Sequence, residues 1–244
     1  MVINENQSVG EIVALNYRTA SLFKKHGIDF CCNGNQTINQ ACQNKSINTE
    51  IILRELNEVS KEISKNTVDF NSWPLDLLAD YIEKKHHRYV KDIILEILPY
   101  LNKVCKVHGE QHPELVKIQS EFNSVAEELV NHMQKEESIL FPVIRNMVKT
   151  KQNNFNLEQA HFRTIQNPIQ MMMAEHITEG ERFRRIEQLS KNYTVPHDAC
   201  NTYIVSYELL KEFEEDLHLH IHLENNILFP KAILLEEDLL KKNS

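Results

Sequence analysis

Two stretches, "HMQKEESILFP" beginning at His132 and "HIHLENNILFP" beginning at His220, fit one phrase, H-x-x-x-E-x-x-I-L-F-P, 88 positions apart. Each copy lies in an apolar stripe of helical period. Phe122, Val125, Leu129, His132, Glu136 and Ile139 are spaced 3, 4, 3, 4, 3, and Leu210, Phe213, Leu217, His220, Glu224 and Ile227 repeat that spacing. Such a stripe faces a helical core, yet a histidine and a glutamate interrupt it at matched places. A carboxylate buried alone is costly. One copy is explained by a solvated i,i+4 pair or a core histidine, but two in the same register need a shared cause. Residues i and i+4 stand about 6 Å apart along a helix. Two such helices facing each other would place two His–Glu pairs around a common centre, where a cation neutralises the carboxylates and uses the imidazole lone pairs.

A site shared by four helices needs donors from two more. "IQMMMAEHITEGERF" places His176 on a face with Ile169, Met172 or Met173, and Phe183. "EKKHHRYV" offers His86 and His87, and periodicity alone does not separate them. Leu75, Ala79 and Ile82 point to His86, whereas Val90, Ile94 and Leu101 point to His87. The gaps from His87 to His132 and from His176 to His220 are 45 and 44 residues, the outline of an internal duplication. Glu83, one turn before His87, reads as a surface residue. Four histidines and two glutamates exceed one tetrahedral zinc and suit two bridged metals, iron being favoured by the nitrogen-rich set.

Helices are expected at about 74–106, 113–148, 168–190 and 196–233, with Pro113, Pro168 and Pro196 in first turns and Asn167 as a cap. The fold class is therefore all-α, an antiparallel four-helix bundle. The proline closing each I-L-F-P is expected to bend or end its helix. Of the three alternating histidines in "HLHIHLE", His220 is expected inward, with His218 and His222 facing water. Ahead of the bundle, Ser8 and Glu11 form a capping-box pattern, with helical spacing through Ile12, Leu15, Thr19 and Leu22 or Phe23 and a stop at Gly27. Further helices are expected around Thr37–Lys45 and over 49–64, then a loop at "NTVDFNSWP". The domains are expected at 1–66 and 67–244.

The chain of 244 residues has a net charge of −8 and no dense basic run, which argues against nucleic acid. No stretch approaches the roughly 18 apolar residues of a membrane span. Five irregularly placed cysteines do not resemble a secreted disulfide framework, and the N-terminus shows no signal pattern. The protein is expected to be cytoplasmic, with reduced thiols. Cys105 and Cys200 read as structural, and Cys42 has no evident role.

The motifs "DFCCNG", "HMQKEESILFP", "AEHITEGE" and "HIHLENNILFP" resemble, over nearly the full length, the repair of iron centres family of di-iron proteins (the YtfE/ScdA/DnrN group), whose bundle is haemerythrin-like. The resemblance implies iron ligands at His87, His132, Glu136, His176, His220 and Glu224, choosing His87 over His86. It implies two non-haem iron ions bridged by Glu136, Glu224 and an oxo or hydroxo group. It also implies a small N-terminal helical domain carrying the pair Cys31 and Cys32, read as a redox or metal-transfer pair. The implied function is repair of iron–sulfur clusters damaged by nitrosative or oxidative stress, by iron donation. Damaged or apo iron–sulfur proteins would be the partners, nitric oxide or oxygen species the small ligands, and the chain a homodimer. Reduction of nitric oxide at the two irons, and oxygen binding as in haemerythrin proper, are the alternatives.

Overall fold

A computed structural model describes residues 3–61, 68–157 and 163–242. Among the described residues all regular elements are helical apart from one bridge between Ser8 and Thr37. None of these helices is long and apolar enough to cross a membrane.

The N-terminal helices are α1 (Val9–Leu15), α2 (Thr19–Lys25), α3 (Ile38–Asn44) and α4 (Thr49–Lys61). Two of them begin in reciprocal caps. The Glu11 amide donates to Ser8 Oγ and the Ser8 amide to the Glu11 carboxylate, and Thr37 and Gln40 repeat the arrangement. The helical spacing from Ile12 to Phe23 is interrupted. Asn16 is extended at φ −152°, and its side chain accepts from the Arg18 amide, the local competition that makes asparagine a helix breaker. Gly27 follows α2 at φ +64°, a left-handed turn that glycine adopts without strain. The end of the expected 49–64 helix and the start of the following loop lie outside the described residues.

The remaining α-helices are α5 (Leu75–Tyr81), α6 (Arg88–His108), α7 (Glu114–Lys135), α8 (Phe141–Asn153), α9 (Gln166–Leu189), α10 (Asn201–Leu223) and α11 (Phe229–Lys242). The described chain falls into two compact units. One comprises Ala79–Asn146 and Ala160–His220, and it holds the four-helix bundle. Its neighbours run antiparallel. Lys91 on α6 pairs with Glu137 beyond α7, while Asn102 at the other end of α6 meets Gln119. Arg185 and Arg182 on α9 meet Glu121 and Glu128 on α7. The core stacks Phe213 of α10 against Phe183 at 5.3 Å and edge-to-face on Phe122 at 5.4 Å. The other unit comprises Met1–Leu78, Met147–Gln159 and Ile221–Ser244.

Three helix starts differ in detail from the expectation. Pro113 is the residue before α7, and Pro168 is inside the first turn of α9. Asn167 is already helical, because α9 begins at Gln166 with Ile165 before it and no side-chain cap. Pro196 lies in the loop, as α10 begins only at Asn201.

The prolines of the repeated phrase do not end their helices. Each helix widens first, into a π turn at Glu136–Leu140 and at Glu224–Leu228, then continues as α8 and α11. Proline clashes with the carbonyl four residues back and offers no amide. The wider turn absorbs this, with the Phe141 amide donating to the Glu136 carbonyl and the Phe229 amide to the Glu224 carbonyl. Another π turn, Ile82–His87, the first in chain order, separates α5 from α6.

Candidate metal centre

Each π turn carries a candidate donor: His87 ends the first, Glu136 opens the second and Glu224 opens the third. An inserted residue rotates the following chain relative to the stripe before it, a device concentrated at functional sites. It resolves the two histidines of "EKKHHRYV". Ala79 and Ile82, before and at the turn, share a buried face with His86, and Val90, Ile94 and Leu101 after it share one with His87. Both rings are 0% exposed. It also corrects one expectation, because Ile139 is 48% exposed while Leu140 and Phe141 are buried. In the second copy Ile227 remains buried as expected.

Within the bundle unit, His87, His132, Glu136, His176 and His220 are all buried. One oxygen of Glu136 lies 3.4 Å from Nε2 of His87 and 3.4 Å from Nε2 of His132. Nε2 of His132 and Nε2 of His176 are 3.0 Å apart. The His220 ring centroid is 4.9 Å from that of His87. Donor atoms of His87, Glu136 and His220 all lie within 4.8 Å of one another, as do those of His132, Glu136 and His176. Glu224, 0% exposed, follows His220 by four residues and opens the π turn after α10.

Sequence reasoning missed the carboxylates that orient the rings. His87 Nδ1 donates to Glu137 at 2.9 Å, and His132 Nδ1 donates to Glu175 at 2.8 Å. This leaves each Nε2 as the inward donor, the carboxylate–histidine–metal pattern of bound cations. The signal was in the sequence, since each carboxylate adjoins a ligand candidate: Glu137 beside Glu136, and Glu175 beside His176. The His132 ring and Lys135 hold Glu175 down at about 2. Burial pushes Glu137 up, but Lys91 and His87 outweigh it and leave it below the usual carboxylate range. Glu83 instead pairs with Arg145, as a surface residue would. A buried carboxylate ringed by imidazole nitrogens, with two of those nitrogens at 3.0 Å, fits a cation-binding set rather than an apolar core.

His218 and His222 do not behave as a pair of exposed bystanders. His218 is half-buried, 4.0 Å from Glu214. His222 is 1% exposed, with its ring against Phe30 and Tyr17 and Nδ1 accepting from Asn226 Nδ2 at 3.0 Å. Burial pushes it down to about 3. The expectation of exposure failed because a single helical wheel ignores the N-terminal segment that covers this face.

Cys31 and Cys32 hold their sulfurs 3.7 Å apart as free thiols. Asp29 accepts from both amides, at 3.1 and 3.0 Å, and from Cys31 Sγ at 3.4 Å. Asp29, Cys31 and Cys32 form a third group of donors within 4.8 Å. The contact with Cys32, then burial, raises the Cys31 thiol well above its ordinary value. Asn225, next to Glu224 in the chain, donates to the Cys31 carbonyl at 3.2 Å. Cys42 is wholly buried and Cys105 donates to the Leu115 carbonyl. Cys200, expected to be structural, is exposed and 3.2 Å from His108 Nε2.

Comparison with known proteins places residues 78–232 on the Hemerythrin HHE cation binding domain and residues 5–60 on the ScdA_N domain of unknown function (DUF542). The chain is 32% identical to the iron-sulfur cluster repair protein ScdA of Staphylococcus haemolyticus, over 95% of this chain and 99% of that protein. It is 34% identical to the iron-sulfur cluster repair protein YtfE of Yersinia pestis, over 93% of this chain and 97% of that one.

Proposed function

Because the chain belongs to the ScdA/YtfE family of iron–sulfur cluster repair proteins, we propose that it holds two iron ions and donates iron to damaged or apo iron–sulfur proteins. His87 and His220 would serve one ion, and His132 and His176 the other. Glu136 and Glu224 would be shared between them, with space for a small exogenous bridge. The observation that carries this reading is Glu136, one of whose oxygens stands 3.4 Å from Nε2 of a histidine on either side. Iron would be the cargo here, held through hard carboxylate and borderline imidazole donors.

Residues 1–66 would form a helical domain and 67–244 the haemerythrin-like bundle, consistent with matches over 5–60 and 78–232. Cys31 and Cys32, with Asp29, would receive or pass on iron. The raised Cys31 thiol implies that a proton must leave before sulfur ligates, since the thiolate is the metal ligand. Cytoplasmic location, a homodimeric state, and nitric oxide or oxygen species as small ligands complete the proposal.

The test is metal analysis with visible spectroscopy, anaerobically and after oxidation, on wild type, Glu136→Leu and Glu224→Leu. About two irons per wild-type chain, lost in both variants, and reactivation of an apo-cluster acceptor are expected. Unchanged metal content in the variants would refute the site. Full retention of iron with the acceptor still inactive would refute donation. Multiple-turnover formation of nitrous oxide would favour the reductase alternative.

A further inference from the structure

His86 is built like the two oriented ligands without belonging to either donor group. Its ring is 0% exposed, and Nδ1 lies 3.0 Å from both oxygens of Asp216. A carboxylate only accepts, so Nδ1 carries the proton and the neutral ring turns the lone pair of Nε2 away from Asp216. That Nε2 is buried and has no hydrogen-bond partner among the described residues. The ring lies parallel to His220, with an interplanar angle of 12° and centroids 5.7 Å apart, and Tyr81 meets it edge-on at 5.4 Å. Buried polar atoms in native proteins almost always have a partner, and a group this well oriented is not a packing residue. His86 is absent from the set in which His87, Glu136 and His220 approach within 4.8 Å, so it is not placed as one more member of that set.

We propose that His86 is a positioning residue whose Nε2 accepts a hydrogen bond from a small protic molecule, water or hydroxide, held at the His87/His220 side of the centre. The proposal rests on the dinuclear reading above. The Asp216–His86 pair then acts as a selectivity device. It favours ligands that can donate a proton to a nitrogen lone pair and disfavours aprotic anions at the same place. Asp216 keeps the acceptor pointed the right way, because it fixes both the ring and the tautomer.

The experiment compares wild type, His86→Leu, His86→Gln and Asp216→Asn after ferric iron loading. Iron per chain, helical content and azide affinity at fixed pH are measured, the last by visible titration. A resonance Raman comparison in light and heavy water reports on the protic ligand directly. One hydrogen bond of typical net strength corresponds to about fivefold in affinity. His86→Leu is therefore expected to keep its iron, bind azide about fivefold more tightly and show an altered solvent-deuterium shift. His86→Gln, which retains an acceptor oxygen, should fall between that variant and wild type, and Asp216→Asn should move the same way. Azide affinity within twofold of wild type in both His86 variants would overturn the proposal. So would loss of half the iron in both, which would make His86 a ligand. Wild-type protein that binds no iron would instead refute the dinuclear reading itself, and this inference with it.

Discussion

His132 and His176 bring their Nε2 atoms to 3.0 Å across the α7–α9 interface, while Nδ1 of His132 is held at 2.8 Å by Glu175. The Glu175 carboxylate, outside the stripe, fixes the tautomer and orientation of the His132 ring and leaves its Nε2 facing that of His176. Glu175→Gln should weaken iron binding by about 10–100-fold, the usual effect of removing such a partner, with the helical content unchanged. Competition against a graded series of chelators reads this out. Wild-type affinity in the variant would mean that Glu175 serves Lys135 alone.

The three alternating histidines should separate into three behaviours. His220→Ala is expected to lose iron and His218→Ala to keep it. His222→Ala is expected to destabilise the fold by about 1–3 kcal/mol, because it removes a buried ring packed against Phe30 and Tyr17. Urea unfolding alongside iron analysis distinguishes them. Equal iron loss and equal stability loss at all three positions would contradict the assignment.

Glu179 gives a pH dependence with a defined sign. It is 3% exposed, and burial first, then Glu128, raises it to about 9. In the unfolded chain it would titrate near the ordinary value of about 4.3. The folded state thus binds an extra proton between these values. The stability this confers is complete below the unfolded pKa and is lost as pH rises through the folded one. Glu179→Gln stays neutral throughout, so its stability relative to wild type should grow by up to about 1.4 kcal/mol per pH unit across that window. Denaturation of the two proteins from pH 5 to 9 checks this, and parallel curves would show that Glu179 ionises freely.

Cys200 should be the fastest cysteine toward thiol reagents. The Tyr203 amide at the start of α10, with His108 and the Thr202 amide, brings its thiol down to about 7. Cys31, Cys42 and Cys105 are all shifted upward. The labelling rate at Cys200 should rise through about pH 7 and level off above it, and His108→Ala should move that midpoint upward. Peptide mapping after brief alkylation identifies the site. First labelling at Cys42 would contradict the structure.

The amino-acid sequence by itself determined the helical bundle and nominated most donors of the candidate centre. Stripes of period 3.6 need a helical core to bury them, and a histidine and glutamate repeated inside two stripes need a common charge partner. That logic singled out His132, Glu136, His220 and Glu224 as candidate donors without any coordinates, and the capping box at Ser8 followed from local hydrogen bonding alone. Tertiary structure decided what periodicity cannot carry across a change of period. The π turn at Ile82–His87 buries both His86 and His87, and the one at Glu136–Leu140 turns Ile139 outward. It also decided which face other segments cover, so that His222 is buried under Phe30 and Tyr17. The orienting partners Glu137, Glu175 and Asp216 acquired their roles only when helices packed, because a hydrogen bond depends on distances of about 3 Å that separation along the chain does not specify.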